Sequence, residues 1–319
     1  ITEWGIEHNE EGHRADAYLY CVEARCPECK WLVPLAPSWV IGEKTCCVVR
    51  LKPDPRKKRF EIEIESGVSD GEMVLAKAAG TVKDSDLVCP NPDCKKRTAI
   101  TAIRGDKRSG GVSDYGLRLW ENADLVPRPD DVFQERLYCI RWVETWTDDE
   151  GKVQTRRYYA APARQDLKRE ARVLELLRER FSEWQAKGYI PSRKIEPGDK
   201  TDEPIRTRGW THWHHLFTPR QLLLNGLISE RIQEFERIPA SAILLVVGRC
   251  LNFNSRLTRW VNNAANEKGA DTFGNQALNP LYIFINRPLP TLDRMILDDF
   301  GACRIERSIV SPADARASG

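Results

Sequence analysis

The chain has 319 residues, 41% of them hydrophobic and 30% charged, with a formal net charge of only +2. That is enough chain for two domains with separate cores, in the composition of an ordinary globular protein, and the near-neutral balance excludes a molecule that holds a polyanion by bulk charge alone. No stretch approaches the ~20 apolar residues of a membrane helix, and the start Ile1-Thr2-Glu3-Trp4 carries neither the basic nor the apolar part of a secretory signal.

Ten cysteines without an export signal favour a reducing, cytoplasmic setting and metal ligation over disulfides. The first residue is not methionine, which reads as a segment of a longer protein.

Residues 1–160 read as strands and turns. Ala17 to Val22, Trp31 to Leu35 and Cys46 to Leu51 are short runs rich in β-branched and aromatic residues, and Phe60 to Glu65 alternates as a half-buried strand does. Between the first two runs lies Cys26-Pro27-Glu28-Cys29, and further on Cys89-Pro90-Asn91-Pro92-Asp93-Cys94. Each pair sets two thiols on a tight, proline-shaped turn, the presentation a zinc ion held by four thiolates needs. Fifty-nine residues separate Cys29 from Cys89, far more than the roughly 15–20 of a compact ribbon. Either the ribbon hosts an inserted β-rich segment, or the pairs are unrelated. Buried reduced thiols, which pack as small hydrophobes, account for the isolated Cys139, Cys250 and Cys303 but not for two paired turns.

Basic residues crowd the second turn: Lys95, Lys96, Arg97, Arg104, Lys107 and Arg108 against the single Asp106. Arg56-Lys57-Lys58-Arg59 makes a second patch in the insert. Leu137 to Trp146 and Val153 to Ala160 flank a polar turn and read as a hairpin carrying Arg156 and Arg157. Local patches of this kind suit phosphate contacts; a solvated charged surface is the plainer alternative.

Residues 161–319 read as mainly helical. From near Pro162 to Gly188, Leu167, Ala171, Leu174, Leu177, Phe181 and Trp184 recur at helical spacing. The polar stretch 191–209 is too long for an ordinary connection and reads as a mobile functional loop or linker. Thr211-His212-Trp213-His214-His215 holds three of the five histidines. On an extended strand His212 and His214 share a face and a metal becomes possible, although packing and hydrogen-bonding roles suit them better. Thr218-Pro219-Arg220-Gln221 opens a helix with a capping box, and Leu222, Leu223, Leu227, Ile228, Ile232 and Phe235 supply its buried face. Ile243 to Val247 is apolar throughout, the following stretch is rich in asparagine, and the last dozen residues look frayed. Asn279-Pro280-Leu281-Tyr282 comes near the Asn/Asp-Pro-Pro-aromatic turn of amino-methylating enzymes, but Leu281 replaces the second proline and the turn reads as structural. No glycine-rich phosphate loop, dinucleotide fingerprint or nucleophile elbow is present.

With the cysteine turns, Gly209 to Leu223, Asn252 to Trp260 and Thr272 to Tyr282 in view, the chain from about Trp4 to Leu289 resembles the middle of the adenine-specific DNA methylases that contain a zinc ribbon. These are large bacterial proteins often encoded near phage-defence genes. In that family a Phe-x-Gly-x-Gly motif for S-adenosylmethionine precedes this region and an Asp-Pro-Pro-Tyr motif follows it; neither is in this sequence. The resemblance implies a DNA-recognition segment with a structural zinc on Cys26, Cys29, Cys89 and Cys94. It also implies that S-adenosylmethionine binds only in the full-length protein, and that this chain alone methylates nothing. DNA is the expected partner, through Lys95, Lys96, Arg97, Arg104, Lys107, Arg108, Arg156 and Arg157, with phage-defence subunits as further candidates. The expected fold is α+β. A zinc-ribbon scaffold that docks partner subunits is the rival reading, and a metal-dependent hydrolase built on the histidines a weaker third.

Overall fold

A computed structural model describes residues 1–109, 112–234, 244–245, 247–274 and 278–288. Phe235, Ile243, Asn275, Cys303, the C-terminal dozen and the side chain of Arg108 lie outside the described residues. The fold is α+β, with a sheet-rich N-terminal half and most of the helix after residue 160. Among the described residues no helix is long and apolar enough to cross a membrane.

The sheet is organised on β1 (Arg14–Arg25), whose residues are buried almost without a break, the pattern of a strand covered on both faces. Ala15, Tyr18, Tyr20, Val22 and Ala24 face one cluster, while Ala17, Leu19 and Cys21 face the other. The switch of parity after Ala15 coincides with a register shift between Ala15 and Ala17: one extra residue re-aims the alternation. The insert between the cysteine pairs begins with β2 (Leu32–Leu35), β3 (Val40–Gly42), β4 (Cys47–Asp54) and β5 (Arg59–Glu65). In β5, Phe60 and Ile62 turn inward and Glu61, Glu63 and Glu65 turn out, as their alternation dictates. Helix α1 (Asp70–Ala78), started by a Ser69–Glu72 capping box, lays Ala76 on the core. Three short strands follow, β6 (Val82–Lys83), β7 (Asp86–Val88) and β8 (Arg97–Ala99), forming their own small sheet, and then helix α2 (Ile100–Arg104). A two-stranded pair, β9 (Lys107–Ser109) and β10 (Val112–Asp114), precedes the expected hairpin of β11 (Phe133–Thr147) and β12 (Val153–Ala160). The large sheet runs β12-β11-β1-β2-β5-β4-β3.

Helix α3 (Arg164–Ala186) buries Val173, Leu176, Leu177, Phe181 and Trp184, whereas Leu167 and Ala171, expected on that face, are exposed. The helix is rotated so that Glu170 points at the sheet, where it accepts from Tyr20 and Arg220. It packs on α5 (Pro219–Ile232), whose first turn carries the expected capping box: the Gln221 N–H donates to Thr218 Oγ1 and the Thr218 N–H to Gln221 Oε1, at 3.3 and 2.9 Å.

Two expectations change. The stretch 191–209 is not a free loop: it contains α4 (Asp202–Arg208), Lys194 bridges to His212, and Ile195, Pro204 and Arg208 are buried. The helical half also returns to the sheet. Strands β13 (Trp260–Asn262) and β14 (Glu267–Gly269) pair with one another, and Trp260 Nε1 and Asn262 Nδ2 each donate at 2.7 Å to carbonyls of β3, those of Ile41 and Val40. Last, β15 (Ile283–Asn286) pairs with Tyr18–Cys21 of β1, on the edge that β2 occupies over Val22–Arg25. Residue 160 thus marks a change of secondary structure, after which β15 returns Phe284 and Ile285 to the clusters on the large sheet.

Candidate metal centre

The first cysteine turn closes the β1–β2 hairpin. The Cys26 N–H donates to the Trp31 carbonyl and the Lys30 N–H to the Cys26 carbonyl, both at 2.9 Å, and Lys30 takes φ of +63°. The second turn joins β7 to β8 by the same device with two more residues. The Cys89 N–H donates to the Lys96 carbonyl at 2.9 Å, the Cys94 and Lys95 N–H groups both reach the Asn91 carbonyl at 2.9 and 3.1 Å, and Lys95 has φ of +52°. The Asp84-Ser85 turn, with φ of +49° and +67°, reverses the chain between β6 and β7, the two-residue type that fits the twist of a hairpin. The two sheets are held by Thr81, whose hydroxyl accepts from the Ala36 N–H at 3.0 Å and donates to the Pro34 carbonyl at 2.6 Å.

These contacts bring the four thiols together. Cys26 Sγ lies 3.8 Å from Cys94 Sγ and Cys29 Sγ 3.6 Å from Cys89 Sγ, and all four sulfurs fall within 4.8 Å of one another. A tetrahedral ion with metal–sulfur bonds of about 2.3 Å sets its sulfurs about 3.8 Å apart, so the group can hold one metal ion. Cys26 and Cys89 are buried beside Trp31, Leu87 and Ile100, and Cys29 and Cys94 close the outer side. Burial pushes the Cys26 and Cys89 thiols up. Burial acts the same way on Cys29, but the Trp31 N–H, the Asn91 side chain and the neighbouring thiols outweigh it and pull that thiol down to about 7. Cys29 is thus the most readily ionised of these three thiols. With four protein sulfurs the shell of such an ion is complete, leaving no position for water or substrate. Among the described residues this is the only group of His, Cys, Asp or Glu side chains placed to share an ion. Cys139 and Cys250 are simply buried.

The basic residues divide. Arg97 lies between Asp84 and Asp86 at 2.9 and 2.5 Å, and Arg104 is buried against Asp106. Arg156 pairs with Glu144 at 2.6 Å and Arg157 with Asp16 at 3.1 Å. These four, expected at phosphates, already have carboxylate partners. Lys95, Lys96 and Lys107 are exposed and make no ion pair among the described residues. Sequence reasoning passed over Arg25 and Lys30 and set the 56–59 patch apart from the cysteines. The structure joins them: the Leu32 N–H donates to the Lys58 carbonyl at 2.8 Å, Leu32 pairs with Arg59, and Trp31 packs on Phe60. The β4–β5 turn thus abuts the exit of the first cysteine turn.

The histidines are structural. His214 and His215 sit on a 3-10 turn, Trp213–Leu216, which the extended His212 precedes, and all three are buried. His215 Nδ1 accepts from the Thr211 and His212 N–H groups at 3.1 and 3.2 Å, and its Nε2 donates to the Glu121 carbonyl at 3.1 Å. His214 Nε2 donates to the Asn122 carbonyl at 3.0 Å. Burial first, then a neighbouring histidine (His212 for His214, His214 for His215) and Arg256, hold His214 down at about 4 and His215 at about 2, so both are neutral pins between residues 120–122 and 211–216. In the Asn279–Tyr282 turn, the Leu281 and Tyr282 carbonyls accept from Arg208 and the Val22 N–H.

Fold and site together define an α+β protein in which the β1–β2 hairpin of the large sheet and the β7–β8 hairpin of the small one bring together four cysteines that can hold a metal ion. Comparison with protein-family models, with curated proteins and with solved structures finds no match for the chain.

Proposed function

We propose that the chain is a zinc-ribbon DNA-recognition segment of an adenine-specific, S-adenosylmethionine-dependent methyltransferase. The carrying observation is the convergence of four sulfurs from turns fifty-nine residues apart, which fixes two lysine-bearing loops against each other. Zinc suits four thiolates in a tetrahedron and needs no redox chemistry. Its part is structural, and Cys26, Cys29, Cys89 and Cys94 hold it. An enzyme that modifies an adenine amino group must rotate the base out of the duplex and hold the distorted backbone. An exposed basic surface on a rigid support supplies that grip, and the reading asks for no contact with the methyl donor from these residues.

The test is metal analysis together with duplex-DNA binding by fluorescence anisotropy at rising salt. One zinc per chain and an affinity that falls steeply between 50 and 200 mM salt support the reading, as does loss of binding on chelation. Zinc-loaded protein that ignores duplex DNA at low salt refutes it and leaves the scaffold that docks partner subunits.

A further inference from the structure

Left-handed backbone positions are cheap for glycine and for asparagine, because a Cβ crowds the neighbouring carbonyl there. Around the metal centre three such positions carry lysine: Lys30 after the first cysteine turn, Lys95 after the second, and Lys58 in the β4–β5 turn, with φ of +63°, +52° and +49°. Each lies at the exit of its turn and is exposed. The turns adjoin: four sulfurs hold the first two together, and the Leu32 N–H to the Lys58 carbonyl holds the third to the first. None of the three ammonium groups has a carboxylate partner among the described residues; the only bond seen is from Lys30 to the Pro27 carbonyl. Arg25, Arg56 and Lys96 stand exposed on the same loops, and Glu28 and Asp93 are the free carboxylates among them.

We propose that Lys30, Lys58 and Lys95 are the phosphate-contacting points of the segment, gripping the backbone of a nucleic acid laid across the metal centre. The proposal rests on the nucleic-acid reading above. Backbone ease favours glycine at all three positions, yet each presents an exposed ammonium group instead. An ion with four thiolates carries a net charge of −2, so the lysines have one competing task, the local balancing of that charge. The two tasks part in one experiment.

Glycine fits every one of these turns, so Lys30→Gly, Lys58→Gly and Lys95→Gly combined removes three charges and relieves the backbone together. The expected variant keeps one zinc per chain and melts no lower than the wild type. Its plot of log affinity for a 20-base-pair duplex against log salt becomes shallower by about 2.7, three contacts at about 0.9 each, and the triple Lys→Arg variant restores the slope. An unchanged slope in a protein whose wild type binds DNA overturns the proposal and leaves the DNA reading standing. Loss of zinc affinity in the glycine variant overturns it in favour of charge balance. A wild type that binds poly-glutamate but not duplex DNA overturns both.

Discussion

Replacing Cys89 with serine tests whether an ion holds the ribbon together. The ion links Cys29 to Cys89 across fifty-nine residues, and a link closing a loop of that length removes about 4 kcal/mol of chain entropy from the unfolded state. At about 2–4 °C per kcal/mol for a domain of 150–250 residues, the melting point should fall on the order of 10 °C. The loss should also be local. Strands β6, β7 and β8 have only two or three residues each, well short of the about five or six of an ordinary strand, and besides the sulfurs they are fastened by Leu87 in the core and by the Thr81 bonds to Pro34 and Ala36. The β3–β5 region packs Trp39, Ile41, Val48 and Ile62 into a core shared with Leu19 of β1 and Tyr138 of β11. Hydrogen exchange should therefore accelerate at residues 82–99, including the Cys89 N–H, and stay slow at 173–184. Chelation of the wild type should reproduce the pattern and zinc should reverse it. An unchanged melting point with full protection at 82–99 would show that the hairpins stand without a metal, and the argument from spacing would be wrong.

Three more outcomes follow from the packing. Arg256 is fully buried, donating to Glu135 at 3.0 Å and to the carbonyls of His215, Phe217 and Leu125; Arg256→Met strands that carboxylate and should lower the unfolding free energy by about 3–5 kcal/mol in urea titration. His214 and His215 are held neutral below their unfolded value of about 6.5, so the unfolded chain binds more protons and stability present above pH 6.5 drains away towards pH 4. Unfolding free energies from urea titration at pH 7.5 and 5.5 should differ by about 3 kcal/mol on this account, and the His214→Asn, His215→Asn protein should show a smaller difference. Gly226 lies beneath the indole of Trp184, where a Cβ would come within 2.1 Å of Cε3. Gly226→Ala should therefore destabilise by about 1–2 kcal/mol despite the roughly 1 kcal/mol gained in helix propensity, and Trp184→Leu in the same chain should recover much of the loss.

What the sequence disclosed was local chemistry. The cysteine turns, the alternation of Phe60 to Glu65 and the Thr218–Gln221 cap each lie within a window of a few residues, and each forms as the local pattern dictates. What it withheld depended on partners distant along the chain. Nothing in Ile283–Asn286 says that it pairs with Tyr18–Cys21, and its four residues are too few to show a period. The charge run after Cys94 looked uniform, yet Asp84, Asp86 and Asp106 claim Arg97 and Arg104. Prolines and glycines between 191 and 209 suggested slack, while Arg208 drives its guanidinium between Phe133 and Tyr282. Lys30 and Lys95 each follow directly on a cysteine turn and share its left-handed exit, whereas nothing local ties Lys58 to them.

The way β2 and β15 divide one flank of β1 bears on how the polypeptide tolerates cutting. The stretch from Glu196 to Lys200 is exposed, so a protease that nicks it yields a piece carrying β1 and a piece carrying β15. Neither piece satisfies its backbone without the other. The two should travel as a single species through gel filtration, and when produced separately they should reassemble on mixing.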